Sequence, residues 1–363
     1  VPHRHLIPRR GFLATAAAGL LNAQSKSFGP AAQRYSDPAT ELEVVRLTDP
    51  AYVSLLPPPQ QRSISHRQGF CVFASDRSGP MQVYRMDLKS FEWRLLSNSA
   101  AVDPASLTLT PDERSVMFFD GPVLKTVTVG GGAEKTLYRA DGVRSSGLSL
   151  SSDGAVVAFA EFQDGQSRLR LVGMPRGRSS EGAPRTAAVI DGRVDEVQFR
   201  PKHAQLMYRA NGALYLSDQQ GKSSRLQTRA AAQALWAPGA STLQYLSEPT
   251  EQRGLVTLRE AAPESGEDKL IGKTSNFAGF SANADSSVFV GASRNQSSLY
   301  VLLLLRVTNR EFSLCEHRCT KPERVQPRFS PDSQSVLFMS DRHGKMAIYR
   351  IKVEKLVEET EVG

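Results

Sequence analysis

The sequence predicts an all-β protein built as a ring of small sheets, and three observations carry that expectation. A turn cluster recurs along the chain at nearly regular spacing. Each copy is followed by a short, strongly β-prone strand, and the last copy lacks one strand that an orphan strand near the N-terminus can supply. The clearest copies of the turn are Thr110-Pro111-Asp112-Glu113-Arg114-Ser115-Val116, Ser151-Ser152-Asp153-Gly154-Ala155-Val156-Val157 and Ser330-Pro331-Asp332-Ser333-Gln334-Ser335-Val336. Weaker copies begin at Ser65, Arg200, Ala237 and Ala282, so that successive starts lie 37 to 49 residues apart. That interval is about the length of one four-stranded propeller blade. Seven copies give a seven-bladed β-propeller closed by an N-terminal strand that completes the last blade.

Taken from the N-terminus, residues 1–24 read as an export signal: Arg9-Arg10 stand ahead of the apolar, alanine-rich run 12–21, and the small residue Ala23 follows. The paired arginines resemble the bacterial twin-arginine signal, which implies a periplasmic or secreted location. A run of about ten apolar residues is too short for a bilayer that needs about twenty. No second candidate span follows, since Tyr300-Val301-Leu302-Leu303-Leu304-Leu305 has the length of a buried strand and runs into Arg306. Residues 25–40, rich in Ser, Ala and Pro, read as a linker.

The propeller is expected over residues 41–353. In the last copy, 325–329 and 335–340 are strands, Asp341-Arg342-His343-Gly344 is a polar turn, and 346–353 is the next strand, which leaves that blade one strand short. Glu43-Val44-Val45-Arg46-Leu47-Thr48 matches the closing pattern Trp93-Arg94-Leu95-Leu96-Ser97 and has no blade of its own. Pairing it with the last blade fastens the ring and removes two exposed sheet edges. An open pair of sandwiches, or a six-bladed ring with an appended hairpin, are the alternatives, and the 37-residue interval is where a blade could be miscounted. Residues 354–363 form an acidic tail with at most one helical turn.

With 363 residues, 40% of them hydrophobic and 23% charged, the chain can bury a large core and does not read as disordered. The formal charge of +8 includes Arg4, Arg9 and Arg10 of the leader, so the folded part is only mildly basic. No Lys/Arg run with interleaved aromatics marks a groove for nucleic acid, which is not an expected partner. Three cysteines are too few to hold this fold by disulfides. Cys71, in Phe70-Cys71-Val72-Phe73, reads as a core side chain. Cys315-Glu316-His317-Arg318-Cys319 lacks the second half of a zinc ligand set, and whether its two thiols pair is open.

Propellers bind ligands in the central channel and at its mouths. His66, His203 and His343 fall in turn clusters, where a solvated imidazole is the simple reading. His317 ends the apolar strand 312–315 and is the one histidine placed to face the channel, as a candidate base against the plainer reading of a hydrogen-bonded structural ring. The chain has no Gly-rich phosphate loop, no His-Glu-x-x-His and no Gly-x-Ser-x-Gly nucleophile turn. Gly130-Gly131-Gly132 reads as a hairpin connection. Asp76 in Ser75-Asp76-Arg77-Ser78-Gly79 and Asp341 in Ser340-Asp341-Arg342-His343-Gly344 read as turn residues whose carboxylates accept backbone hydrogen bonds while the glycine takes a positive φ.

On Arg46-Leu47-Thr48-Asp49-Pro50, Phe73-Ala74-Ser75-Asp76-Arg77-Ser78-Gly79 and Phe329-Ser330-Pro331-Asp332 leading to Phe338-Met339-Ser340-Asp341, the chain resembles two propeller groups, the TolB-like (WD40-like) repeats and the oligogalacturonate lyases. More particular to the lyases are Asn283-Ala284-Asp285 with Val288-Phe289-Val290-Gly291, and Leu314-Cys315-Glu316-His317. The lyase resemblance implies β-elimination on a pectin-derived uronate chain. There a divalent metal such as manganese, set by histidines, holds the uronate carboxylate while a histidine base takes the neighbouring proton.

The family's His-Pro-His-Pro-x-Phe element falls on Arg324-Val325-Gln326-Pro327-Arg328-Phe329, a third metal histidine falls near Ala278-Gly279, and the base falls on Gln233, three residues ahead of Trp236. The resemblance therefore implies a ring without the family's metal ligands and base. One expectation is a pocket in which Arg324, Gln326 and Arg328, with Gln233, bind an acidic oligosaccharide or a protein without cleaving it. The others are elimination with His317 as base, and a TolB-like assembly scaffold.

Overall fold

The computed structural model describes residues 27–174, 184–249 and 254–357. The twin-arginine signal expected over residues 1–24 lies outside them, as do residues 358–363 of the tail. The described chain forms seven antiparallel sheets, one per blade, and in blades 2 to 6 the strands follow one another in sequence from the innermost outward. Blade 4 shows the unit: Val194–Phe199, Gln205–Ala210, Ala213–Asp218 and Ser223–Arg225. It fills the 37-residue interval completely, because its connections are tight and its outer strand is only three residues long. Among the described residues, no helix is long and apolar enough to cross a membrane.

The recurrent turn is one hydrogen-bonded device repeated seven times. In every blade the N–H of the first turn residue donates to the carbonyl five residues on: Ser65 to Phe70, Thr110 to Ser115, Ser151 to Val156, Arg200 to Gln205, Ala237 to Thr242, Asn283 to Val288 and Ser330 to Ser335, at 2.7–3.0 Å. The Ser/Thr-x-Asp signature tightens it. Thr110, Ser151 and Ser330 each donate their hydroxyl to the Asp two residues later and accept an N–H from the next strand. Short polar side chains that satisfy local backbone groups are what such a turn requires.

Alternation along the second strand of each blade then builds the ring. In Phe70–Ser75, Phe70, Val72 and Ala74 pack with Val116 and Phe118 of blade 2, whereas Cys71 and Phe73 belong to the core shared with blade 7. In Ser115–Asp120, Val116 and Phe118 face blade 1 while Met117 and Phe119 pack with Val157 and Phe159 of blade 3. Successive strand side chains point to opposite faces, so each sheet is buried on both sides. Close packing also explains Gly291, where a Cβ would collide with the ring of Phe277.

The ring closes as expected. Glu43–Arg46 pairs antiparallel with Ala347–Lys352, and the Leu47 N–H donates to Ile348 O at 2.7 Å. The linker expected over residues 25–40 is corrected. Gln33–Ser36 adds a fifth strand to blade 7, and Ser27–Phe28 pairs with Trp93–Leu95 at the outer edge of blade 1. Tyr35 and Phe28 pack against the largest core and give these strands apolar anchors. The tail makes one turn, Val357 N–H to Val353 O, with Val357 buried. The three cysteines are free and buried.

The innermost strands are not all alike. Blades 4, 5 and 6 have continuous ones, Val194–Phe199, Ala231–Trp236 and Phe277–Ala282. In blades 7, 1, 2 and 3 the inner run breaks into two short pieces. Blade 1 keeps Ser54–Leu55 and a bridge at Ile64, blade 2 a bridge at Val102 and Thr108–Leu109, and blade 3 Val143–Arg144 and Ser149–Leu150. In blade 7 the turn Pro322–Arg324 precedes Arg328–Phe329. The intervening residues interlock. The Leu109 N–H donates to Arg62 O, and Arg328 of blade 7 reaches Ser63 Oγ and Pro57 O. Gln61 of blade 1 lies against Gly147 of blade 3, two blades away.

Leu47 is fully buried in the core where blades 6, 7 and 1 meet. Leu47→Ala should lower stability by about 2–5 kcal/mol, read as a lower urea midpoint with an unchanged slope.

Candidate functional site

The channel has two mouths. The upper one lies where the innermost strands begin, the lower one where the repeated turns lie. At the upper mouth the acidic turn residues hold the incoming chain. Asp76 accepts the Val53 N–H (2.8 Å), Asp120 that of Ala101 (2.7 Å) and Asp341 that of Thr320 (2.9 Å). Gly79 and Gly344 complete two of these turns at φ 112° and 141°. These carboxylates are fasteners for the broken inner runs, in line with the turn chemistry their sequence setting implies.

The sequence-predicted site residues are placed as follows. His317 is fully buried between blades 6 and 7. Its Nδ1 accepts the Cys319 N–H at 3.1 Å, so the proton sits on Nε2, which donates to Ser293 O at 2.9 Å. Both ring nitrogens are taken by main chain. Burial holds its pKa below the ordinary imidazole value, with Arg342 acting the same way and the Ser293 carbonyl opposing.

Arg328 points its guanidinium at Ser63 Oγ (3.0 Å) and Pro57 O, is 5% exposed, and is paired with no carboxylate among the described residues. Burial pushes its pKa down to about 9. Gln233 spans blades 5 and 6, donating to Phe280 O at 3.1 Å and accepting the Phe280 N–H at 3.0 Å. Arg324 ends its turn exposed to solvent, and Gln326 is half-buried with φ at 42°. No hydrogen bond or ion pair joins any two of His317, Arg324 and Arg328 among the described residues. Three of the five candidates thus tie the frame together, while Arg324 is exposed and Gln326 half-buried.

Buried ion pairs stiffen the neighbouring blades. Glu161 accepts Tyr138 Oη (2.9 Å) and Arg170 Nε (2.7 Å), linking blades 2 and 3. Glu196, on the innermost strand of blade 4, accepts Gln198 Nε2 (2.6 Å) and Arg209 Nε (3.2 Å). Burial raises its pKa despite the guanidinium.

A cavity of about 330 Å³ opens at the lower mouth, between the 59–62 segment and the ends of the inner strands of blades 2–6. Gln61, Gln198, Trp236, Gln244 and Ser281 are among its lining residues. Sequence reasoning passed over them, because amides and serines scattered over four blades form no motif. The one available signal was the unusual run Pro57-Pro58-Pro59-Gln60-Gln61-Arg62 ahead of the first turn.

Comparison with known proteins places the architecture. No family model and no curated protein matches the sequence. In structure the chain is similar to an oligogalacturonate lyase in complex with manganese, with a TM-score of 0.83 at 18% identity over 90% of this chain and 97% of the other. It is also similar to the oligogalacturonate lyase of Vibrio parahaemolyticus (TM-score 0.81, 18% identity, 91% and 99% covered). A β-propeller domain from Myceliophteria thermophila is more distant (0.59, 13%, 83% and 99%). At these identities the likeness is one of fold.

The residues present do not fit a metal at the upper mouth. The sequence resemblance sets Arg324 and Gln326 at two ligand positions and the third near Ala278-Gly279. A guanidinium stays cationic and offers no lone pair to a metal, and neither Ala278 nor Gly279 carries a donor side chain. Among the described residues, no group of three or more His, Cys, Asp or Glu side chains is arranged to hold an ion.

His317 makes a testable contribution to stability. Its depressed folded pKa means that the unfolded chain protonates first. The stabilisation is present above about pH 6.5 and is lost as pH falls through that value towards the folded pKa. His317→Gln should flatten part of the loss just below neutral pH in a stability-versus-pH series, a region to which His66 and His343, shifted the same way, also contribute. His317→Ala should cost about 1–3 kcal/mol for the buried main-chain groups left unpaired.

Proposed function

We propose that this chain is an exported propeller that binds an acidic oligosaccharide at its upper mouth without cleaving it. The observation that carries this reading is that the candidate base His317 is committed to the frame, as are Gln233 and Arg328, two of the four residues expected to bind, which leaves Arg324 and Gln326 for the ligand. Gln233 is bound to Phe280, Arg328 to Pro57 and Ser63, and His317 to Ser293 and Cys319. Abstracting a carbon-bound proton needs a base within hydrogen-bond reach and a neutralised carboxylate. Elimination through His317 would first have to break one of its two main-chain bonds. Binding asks for less. Arg324 is exposed, and its fork can take a uronate carboxylate through two parallel hydrogen bonds, with the Gln326 amide close by in sequence to meet hydroxyls. The acidic class of ligand rests on the two structural neighbours named as oligogalacturonate lyases.

The test is to add oligogalacturonate with and without manganese, following the ultraviolet absorbance of the unsaturated product and binding by calorimetry. No absorbance and saturable binding are expected, and Arg324→Ala should weaken binding about tenfold or more. Rising absorbance would restore the lyase reading, and absence of both signals would favour a protein-binding scaffold. Export is tested separately: Arg9→Lys with Arg10→Lys should leave the chain in the cytoplasm of a bacterial host that otherwise exports it.

A further inference from the structure

We propose that the lower-mouth cavity is a second binding site, for a carboxylic acid with a flat apolar body, of the size of a one-ring aromatic acid, whose carboxylate is taken by Arg62. The volume of about 330 Å³ sits at the small end of the range for small-ligand sites. Its walls follow from the repeated turn. The second residue of that turn is Pro111 in blade 2, Pro201 in blade 4 and Pro238 in blade 5, and all three line the cavity together with Pro59, which precedes the turn of blade 1. Proline suits a turn because its ring presets φ. It brings no N–H, so these residues offer a ligand ring carbon and no donor. Trp236, half-buried, adds aromatic carbon to the same lining, and Arg200, which is outside the lining, lies over its ring at 5.2 Å.

The charged group of this lining is free to take a ligand. Arg62 is its one ionisable side chain, and it is exposed. Nη1 donates to Pro111 O at 3.3 Å, which lays the side chain from blade 1 across to the rim at blade 2. Among the described residues Arg62 makes no ion pair and no other hydrogen bond. The carboxylates adjoining the lining in sequence are engaged in their own turns. Glu113 accepts Ser65 Oγ (2.6 Å) and the His66 N–H (2.7 Å). Asp112 accepts Thr110 Oγ1 (2.6 Å) and the Arg114 N–H (3.0 Å), and Asp153 accepts Ser151 Oγ (2.6 Å) and the Ala155 N–H (3.0 Å). His66 and Arg67 are exposed on the same blade. Burial, then Arg62 and Arg67, hold the His66 pKa below the ordinary imidazole value against Glu113, so Arg62 stands among cationic neighbours.

Charge and walls together select the ligand class. No carboxylate lines the cavity, so a cation would meet Arg62 without a counter-ion. Ser149 and Ser152 in the lining accept the Phe199 and Lys202 N–H groups at 2.8 and 2.7 Å, which leaves each hydroxyl a proton to donate. A guanidinium can hold a carboxylate through two parallel hydrogen bonds. Because Arg62 is exposed, the ligand's charge stays at the wet rim while its ring is covered by proline and tryptophan carbon, and no ion has to be stripped of water. An inorganic anion would leave those walls unused, and an uncharged ring would leave the guanidinium unused.

The test titrates the full chain with benzoate, phenylacetate and hydrocinnamate, followed by calorimetry and tryptophan emission. Benzamide and benzylammonium keep the ring without the negative charge, and acetate keeps the carboxylate without the ring. The chain has two tryptophans, and Trp93 is 1% exposed in the core of blade 1, so ligand-induced changes in emission report Trp236. Saturable binding of at least one ring acid is expected, with benzamide, benzylammonium and acetate each about tenfold weaker or more. Arg62→Ala should weaken the ring acid about tenfold or more at unchanged melting temperature, since its side chain is exposed and holds a single bond. Arg324→Ala should leave ring-acid binding untouched and Arg62→Ala should leave oligogalacturonate binding untouched, so failure at one mouth leaves the other reading standing. The proposal is overturned if no ring acid saturates, if benzamide or acetate binds as tightly as the acid, or if Arg62→Ala leaves the affinity unchanged.

Discussion

A blade of this protein buries little by itself. Its middle strands carry apolar side chains on both faces, as Phe70 and Val72 on one side and Cys71 and Phe73 on the other illustrate, so each sheet needs two neighbours. A row of such sheets would end in two bare faces, and only a closed ring leaves none. The pairing of Glu43–Arg46 with Ala347–Lys352 supplies that closure by joining the two ends of the described chain within one sheet. The outer additions Gln33–Ser36 and Ser27–Phe28 extend the same logic, spreading the N-terminal segment over blades 7 and 1 so that more backbone crosses the seam.

Closure creates a channel, and the broken inner strands of blades 7, 1, 2 and 3 decide what becomes of it. The 56–63 segment leaves blade 1, receives Arg328 from blade 7, meets Leu109 of blade 2 and sets Gln61 against Gly147 of blade 3. One side of the channel is thus crossed by interlocked chain, while blades 4, 5 and 6 keep continuous walls. The asymmetry gives the two mouths different chemistry. Aspartates at the upper mouth are used as fasteners, and the lower mouth opens into a cavity whose lining holds a single ionisable side chain, Arg62.

A buried guanidinium without a carboxylate, such as Arg328, is costly in itself. Here it joins two blades across the closing seam through Pro57 and Ser63. Gln233 and His317 serve their neighbours in the same manner, through main-chain partners. All three side chains are taken up by the frame, and any other use of their polar atoms would have to break these bonds.

The sequence by itself determined the number of blades and the closing strand, because both follow from local chemistry. A Ser/Thr-x-Asp turn satisfies its own backbone within six residues, and strand alternation is written residue by residue. It also carried the turn roles of Asp76 and Asp341. What it could not determine was where side chains distant in sequence meet. His317 in an apolar strand end reads equally as a base or as a buried ring, and only the neighbouring Ser293 and Cys319 backbone decides. Arg324 and Arg328, four residues apart, look alike until one is placed in solvent and the other between Pro57 and Ser63. The lower cavity, assembled from Gln61, Trp236, Gln244 and Ser281, exists only because ring closure brings blades 1, 5 and 6 around one axis, and no local pattern encodes that convergence.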